Sequence, residues 1–136
     1  DSPPLDLAED GWEASLRGHL LSLWDTMAKY PGLAGYMISL PTLGTTATGH
    51  ETGVRFFEDA GFSRRHADLA WSFALTFIHG RLSVDSRLDH GAASAAGLAA
   101  IKGREHVTFG ADAVIQGLKA ILDDPSLAGA EETRPN

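Results

Sequence analysis

The residues of clearest chemical interest form a polar row at helical spacing. Ser72, Thr76, His79 and Ser83 follow one another at intervals of three or four residues, which places them on one side of a helix. Hydroxyls and an imidazole in a row could hydrogen-bond to a bound small molecule or across an interface between two chains. A row that is solvated or bonded locally is the simpler alternative, and both interpretations stay open at this point.

The sequence carries no recognisable metal or phosphate motif. No His-Glu-x-x-His segment occurs, no two of the 6 histidines lie three or four positions apart, and the chain has no cysteine. Gly-x-Gly-x-x-Gly and Walker loops are also missing. We therefore expect no metal site and no cofactor. A helical carrier that binds haem through one histidine is a remote alternative, which absorption spectroscopy after haem addition would test.

Catalytic patterns are equally sparse in the sequence. Asp85 and Asp89 lie one helical turn apart and could form a carboxylate pair. At the polar end of a long helix, such a pair is far more often solvated than catalytic. No order of serine, histidine and aspartate rises above coincidence, so we expect that the chain is not an enzyme.

Length and charge narrow the class of protein further. The 136 residues suffice for one domain, and 11 Lys+Arg against 18 Asp+Glu give a net charge of −7, which disfavours nucleic-acid binding by this chain alone. The absence of cysteine, of a long apolar run and of a signal peptide favours a cytoplasmic protein with no membrane contact. The chain starts at Asp1 rather than at methionine, which suggests a fragment or a processed protein.

Apolar periodicity predicts helices throughout the chain and no strand. The predicted helices run from about Asp10 to Tyr30, Gly32 to Leu40, His50 to Ala60, Arg64 to Arg87 and Glu105 to Asp123. Asp10 is the predicted N-cap of the first helix, Gly61 the left-handed residue that ends the third, and Ser63 the cap of the fourth. Residues 41–53 have the composition of a loop, and residues 91–100 that of a weak helix or a flexible connection. The predicted fold class is an all-α antiparallel bundle of about five to six helices.

The helix predicted at residues 64–87 has two apolar faces. One face carries Ala67, Trp71, Ala74, Leu75, Ile78 and Leu82; the face roughly opposite carries Leu69, Phe73, Phe77, Gly80 and Val84. Because a helix in one thin layer cannot bury both faces, either this helix is central to the fold or one face meets another chain. The last helix adds the small residues Gly110, Ala113 and Gly117, where glycine inside a helix indicates a close backbone approach.

Four segments, in this order, resemble one known family. They are Tyr30-Pro31-Gly32-Leu33-Ala34, Phe57-Glu58-Asp59-Ala60-Gly61-Phe62-Ser63, Phe77-Ile78-His79-Gly80 and Phe109-Gly110-Ala111-Asp112-Ala113-Val114-Ile115-Gln116-Gly117-Leu118. Their order and spacing over about Gly11 to Leu122 are similar to the C-terminal regulatory domain of TetR-family transcription repressors. The resemblance implies a helical domain at residues 10–123, between an N-terminal extension (1–9) and a flexible tail (124–136). It also implies a DNA-binding helix-turn-helix domain that has no counterpart before Trp12.

The resemblance further implies a homodimer held by a four-helix bundle, with two helices from each chain. The residues expected at this interface are Phe73, Phe77, Gly80, Val84, Ala113, Gly117 and Ile121. A symmetric helical interface between two chains, called the seam below, requires a helix with a second apolar face and a partner helix with small residues. The helix at residues 64–87 and the last helix have these properties. A monomeric bundle, in which the long helix is simply central, is the alternative.

A pocket for a small apolar or amphipathic effector between the helices is the remaining implication. Apolar and aromatic side chains with a few polar groups line such pockets, and the expected residues are His19, Leu23, Met27, Met37, Phe57, Trp71, Leu75, Ile78 and His79. Any one of them could equally be plain core. The expected function is a ligand-sensing dimerisation domain of a TetR-like repressor, which reaches DNA only through the missing domain. A helical protein-interaction module with no effector is the alternative.

Overall fold

The computed structural model describes residues 11–30, 32–40, 47–89 and 103–128. Its helices are α1 (Trp12–Ala28), α2 (Leu33–Ser39), α3 (Ala47–Asp59), α4 (Arg64–Asp89) and α5 (Arg104–Asp123), followed by a short 3₁₀ helix, η1 (Pro125–Ala128). No strand occurs in these ranges, which confirms the predicted all-α class. The predicted extension at residues 1–9 and the predicted connection at residues 91–100 lie outside them.

Two predicted helix starts are wrong. α1 begins after Gly11, which has a φ of +91° and makes no side-chain cap, so the freedom of a glycine backbone sets this start rather than the predicted Asp10. α3 begins at Ala47, three residues before the predicted His50. In its first turns the Thr52 hydroxyl donates to the Thr48 carbonyl oxygen at 2.9 Å, so residues whose type favours a loop are accommodated in the helix.

The turn between α3 and α4 follows the prediction. Gly61 has a φ of +112°, and the Phe62 N–H donates to the Phe57 carbonyl oxygen at 3.0 Å, which closes the end of α3. Phe62 also packs edge-on against Phe57, with ring centroids 5.4 Å apart. Ser63 caps α4 by accepting a hydrogen bond from the His66 backbone N–H at 3.2 Å. These local contacts turn the chain so that α4 packs against α3.

α4 is the central helix, because α1, α2, α3 and α5 all pack against it. The protomer covers its first apolar face: Ala67, Trp71, Ala74, Ile78 and Leu82 are buried, and Leu75 is partly buried. The largest side chains with less than 2 % of their surface exposed come from four helices and are Leu16, Leu20, Val54, Phe57, Ile78 and Val107. Removing each large apolar side chain from water contributes about 1.5–3 kcal/mol, so this core holds the helices together.

Ion pairs at the surface tie the helices to one another. Arg64 donates to the two carboxylate oxygens of Glu51, at 3.0 and 2.8 Å, and to Glu58 at 2.9 Å, which joins the start of α4 to α3. The hydrogen bonds between them lower the pKa of Glu51 and raise the pKa of Arg64. Arg17 on α1 pairs with Asp112 on α5 at 2.8 Å. Because these pairs are largely exposed, they orient the helices more than they stabilise the fold.

Residues 125–128, at the start of the predicted tail, form η1 and pack back on α5. The Asp124 carboxylate begins this turn by accepting hydrogen bonds from the Ser126 N–H at 3.2 Å and from the Ser126 hydroxyl at 2.6 Å. The first residues beyond α5 are therefore folded against the bundle, and the tail from residue 129 lies outside the described ranges.

Candidate functional site

An open apolar groove of about 460 Å³ runs between α4 and α5. It is lined by Phe62, His66, Leu69, Ala70 and Phe73 on one side and by Ala113, Val114, Gly117, Leu118 and Ile121 on the other. Apart from His66, every lining residue is apolar. Open apolar surface of this kind marks a place where another molecule or another chain binds.

The groove includes Leu69 and Phe73 from the second apolar face of α4, and the protomer leaves much of this face exposed. Leu69 is 52 % exposed, Phe73 is 55 % exposed and Val84 is 39 % exposed, whereas Trp71 on the first face is 5 % exposed. The sequence predicted two apolar faces without deciding which of them the fold would cover. The structure decides this point, since the face that carries Phe73 is the bare one.

The glycines of α5 have different surroundings. A Cβ added to Gly110 would lie 2.5 Å from Cε2 of Phe77, so the Phe77 ring packs directly on the α5 backbone within the protomer. This contact confirms the predicted close approach at Gly110. A Cβ added to Gly117, or to Gly80 on α4, would have no neighbour within 4 Å. At these two positions the protomer leaves space in which another helix could approach.

Four of the seven residues predicted for the dimer interface line the groove, namely Phe73, Ala113, Gly117 and Ile121. Phe77, Gly80 and Val84 continue the same face of α4 at helical spacing. The sequence analysis did not place Phe62, His66, Leu69, Ala70, Val114 and Leu118 at this interface. A signal for two of them was available, because Leu69 precedes Phe73 by four residues and His66 precedes Leu69 by three. The interface itself stays a prediction.

Seven of the nine residues predicted for the effector pocket belong to the packed core. Met27, Phe57, Trp71 and Ile78 are buried there, and Leu23, Met37 and Leu75 pack against the same cluster. None of the nine predicted residues lines the groove or the smaller cavity of about 300 Å³ beside it, which shares Phe62, His66 and Ile121 with the groove. Those seven residues thus share one cluster in the structure, and the effector pocket stays a prediction.

Trp71 has the most unusual surroundings of the predicted pocket residues. Its indole lies flat against α3, where a Cβ added to Gly53 would be 2.6 Å from Cε3 and closer still to Cδ2 and Cε2. From α1, the His19 ring approaches the indole with a centroid separation of 6.3 Å. The indole Nε1 is buried, and within the part of the chain that the structure describes it has no hydrogen-bond partner.

The polar row on α4 divides into two parts. Ser72 and Thr76 are exposed, and the Thr76 hydroxyl donates to the Ser72 carbonyl oxygen at 2.8 Å, as the simpler alternative expects. His79 is 9 % exposed, and burial lowers the pKa of its imidazole because the charged form loses hydration. The histidine therefore favours its neutral form, which can both donate and accept a hydrogen bond.

Asp85 is buried, at 8 % exposure, so the expectation that it is solvated is wrong. Nη2 of Arg81 donates to Asp85 Oδ1 at 2.7 Å, and the Trp24 indole N–H donates to Asp85 Oδ2 at 2.9 Å. A buried carboxylate requires such partners, because an unpaired charge in the interior is strongly unfavourable. The cluster joins α1 to α4 and gives Asp85 a structural role. Trp24 precedes Asp85 by 61 residues, so spacing along the chain gave no sign of this contact.

The comparison with known families identifies the chain. The family described as tetracyclin repressor-like, C-terminal domain, matches residues 3–106. The chain therefore belongs to the TetR family. The match covers α1 to α4 and the first residues of α5, and it confirms both the predicted family and the TetR-type all-α fold. No curated protein and no solved structure matches the chain.

Family membership makes this chain the C-terminal domain of a TetR-like transcription regulator. The α4 side of the groove lies within the matched residues, and the α5 side lies beyond residue 106. In the described ranges of this TetR-type domain, no three His, Cys, Asp or Glu side chains are grouped to hold a metal ion. None of the described helices has the length and apolar character that a bilayer-crossing segment needs.

Proposed function

We propose that this TetR-type domain joins two copies of the chain through the α4–α5 groove and senses a small apolar or amphipathic effector in its interior. The observation that carries the proposal is the bare face of α4, where Leu69 and Phe73 are more than half exposed beside an apolar groove. A second copy that lays the same face over this one would remove both side chains from water. Covering half of a large apolar side chain contributes roughly 1 kcal/mol, and a two-fold axis doubles each such contribution.

The small residues of the groove support a helical seam. Gly117 and the exposed Ala113 line the groove from α5, and a Cβ added to Gly117, or to Gly80 on α4, would lie in open space. Small side chains let helix axes approach closely, so α4 and α5 of each copy can form a four-helix bundle. In such an arrangement each chain provides the same surface to the other.

The effector would act by shifting the population of bundle arrangements. α1 packs against both α4 and α5, so a ligand held between α1, α3 and α4 can bias the position of α1 relative to the seam. In a TetR-type regulator the DNA-binding helix-turn-helix domain precedes this domain. A change in the position of α1 would therefore alter the spacing of the two DNA-binding heads and release a repressor from its operator.

Sedimentation of the purified chain over a range of concentrations tests the dimer. We expect a dimer for the wild type and a monomer for Phe73→Lys, because a lysine ammonium in the seam would lose its hydration. Tyr36→Lys is the matched control, since Tyr36 on α2 is 62 % exposed and lies outside the groove. Circular dichroism would establish that both variants stay folded. A wild-type monomer at every concentration, or a Phe73→Lys dimer, would refute the seam.

A dimerisation module without an effector is the second candidate function. The observation that favours it is the tight burial of the predicted pocket residues, with Phe57 and Ile78 both 0 % exposed. Titration with a broad panel of hydrophobic ligands, followed by the fluorescence of the tryptophans, separates the two candidates. A saturable change supports the effector, whereas no change across the panel supports the module and leaves the dimer proposal untouched.

A further inference from the structure

The indole N–H groups of Trp24 and Trp71 differ in their hydrogen bonding. The Trp24 N–H donates to the Asp85 carboxylate at 2.9 Å. The Trp71 N–H is buried and, within the described residues, has no acceptor. Buried polar groups in proteins are nearly always paired, because an unmade hydrogen bond in the interior costs free energy. An unpaired N–H in a family that binds small molecules is therefore a feature that requires a function.

The position of Trp71 is fixed by its neighbours. The ring rests on the backbone of α3 at Gly53, which has no side chain to hold it away, and faces His19 of α1 on another side. Any other residue at position 53 would displace the indole, so the chain accepts a glycine in the middle of α3 to keep the ring there. The N–H is thus held in one place before any ligand arrives.

The surroundings favour a ligand with no charge. Two arginines of α4, Arg64 and Arg81, are engaged by carboxylates at 2.8 and 2.7 Å, and Arg65 is exposed at the surface. One neutral N–H cannot compensate a buried carboxylate, and the net charge of −7 repels anions. A neutral oxygen acceptor on an apolar body meets these conditions.

We propose that the Trp71 N–H is the polar anchor of the effector site and that it donates to a carbonyl or ether oxygen of an uncharged, otherwise apolar ligand. This inference rests on the proposed effector function and names the chemical class of its ligand. The packed core supplies the apolar contacts, and the single unpaired N–H fixes the orientation of the ligand. Trp71 would therefore discriminate between ligands of equal size that differ in one acceptor atom.

Matched probes and the indole N–H signals of the full chain test the proposal. Methyl naphthyl ketone and ethylnaphthalene have nearly the same shape, but only the ketone carries an acceptor. In a proton–nitrogen correlation NMR spectrum, the Trp71 signal, assigned with Trp71→Phe, should move downfield on addition of the ketone and not of the hydrocarbon. The ketone should bind about tenfold more tightly than ethylnaphthalene, as expected for one hydrogen bond in a buried site. Naphthoate should bind more weakly than the ketone, because its charge has no counterion there.

Variants provide the second arm of the experiment. Trp71→Phe keeps an aromatic ring but removes the N–H, so the preference for the ketone should disappear while ethylnaphthalene binding changes little. Trp12→Phe is the control, because Trp12 packs with Phe57 and Phe62 at the other side of the core and should keep the preference. The remaining indole signals report whether each variant is folded, and the wild-type comparison of the probes does not depend on any variant.

The outcomes separate this proposal from the proposed function. If both neutral probes bind with equal affinity and the Trp71 signal stays in place, the domain binds apolar ligands but Trp71 is not the anchor. If neither neutral probe binds, the anchor proposal fails, and the broad ligand panel decides separately whether the effector function fails with it. A preference for naphthoate would overturn the assignment of an uncharged ligand.

Discussion

Gly53→Ala is the substitution for which the structure gives the sharpest expectation. The new methyl group would lie 2.6 Å from Cε3 of Trp71 and closer still to Cδ2 and Cε2, whereas carbon atoms in contact are about 3.5–4.0 Å apart. The indole would have to move by about 1 Å or more. Because Trp71 is 5 % exposed and its closest atoms belong to the middle of a rigid ring, it cannot simply turn away.

Two opposing effects set the magnitude. Overpacking a core costs typically about 1–3 kcal/mol. Replacing a glycine inside a helix by alanine returns up to about 1 kcal/mol. We therefore expect a net loss of about 1–2 kcal/mol in the free energy of unfolding, which corresponds to a fall of roughly 4–8 °C in the Tm of a domain of this size.

Urea unfolding followed by circular dichroism measures this loss. The protein concentration must be the same for every variant, because dimerisation adds to the apparent stability. Gly18→Ala is the matched control: Gly18 is exposed inside α1 and has nothing within 4 Å of its added Cβ, so this variant should gain up to about 1 kcal/mol. If both substitutions stabilise the domain equally, the packing of Trp71 on α3 is wrong.

Three further predictions concern the seam, the buried carboxylate and the buried histidine. Gly117→Ala should stabilise the protomer by about 1 kcal/mol when it is measured in the Phe73→Lys background, where we expect a monomer. In the wild-type background the same substitution should weaken the dimer in sedimentation, and a tighter dimer would contradict the seam. Asp85→Asn leaves the neighbouring arginine without its carboxylate and should cost about 2–4 kcal/mol in urea unfolding, well above the loss from Asp112→Asn at an exposed pair. Equal losses would argue against burial of the first pair. Burial lowers the pKa of His79 below its ordinary 6.5, so on acidification the unfolded state binds a proton at a higher pH than the folded state does. The contribution of this histidine to stability is therefore complete above pH 6.5, and stability should fall as the pH drops below 6.5. His79→Gln should reduce this fall, and an unchanged pH profile would show that another group causes it.

Most of the helical architecture could be predicted from local signals. The end of α3 and the start of α4 follow from Gly61 and Ser63, whose conformation and cap bond act within a few residues of the chain. The starts of α1 and α3 were misplaced for a related reason. Gly11 and the threonines of α3 can adopt more than one local backbone conformation, helical or not, and the packing of the apolar residues that follow decides which one is adopted.

The candidate sites were predicted less completely. Helical periodicity brought Phe73 and Gly117 to one surface, but it could not show that Phe77 fills the space over Gly110 while Gly117 stays open. It also brought seven of the nine residues predicted for the effector pocket into one packed cluster, without showing how tightly they pack. The size of the space between helices depends on how side chains from several elements interlock, and a periodic pattern along one helix does not describe that packing.

The sequence by itself determined the all-α class, the family and the two apolar faces of the long helix, because each of these follows from residue types repeated within a few turns or from segments in a fixed order. The tertiary structure alone decided which face is bare, why Gly53 lies beneath Trp71 and how Asp85 accepts a hydrogen bond from Trp24. These contacts join residues from different helices. Their geometry depends on the angle and distance at which whole helices pack, which is a property of the assembled core.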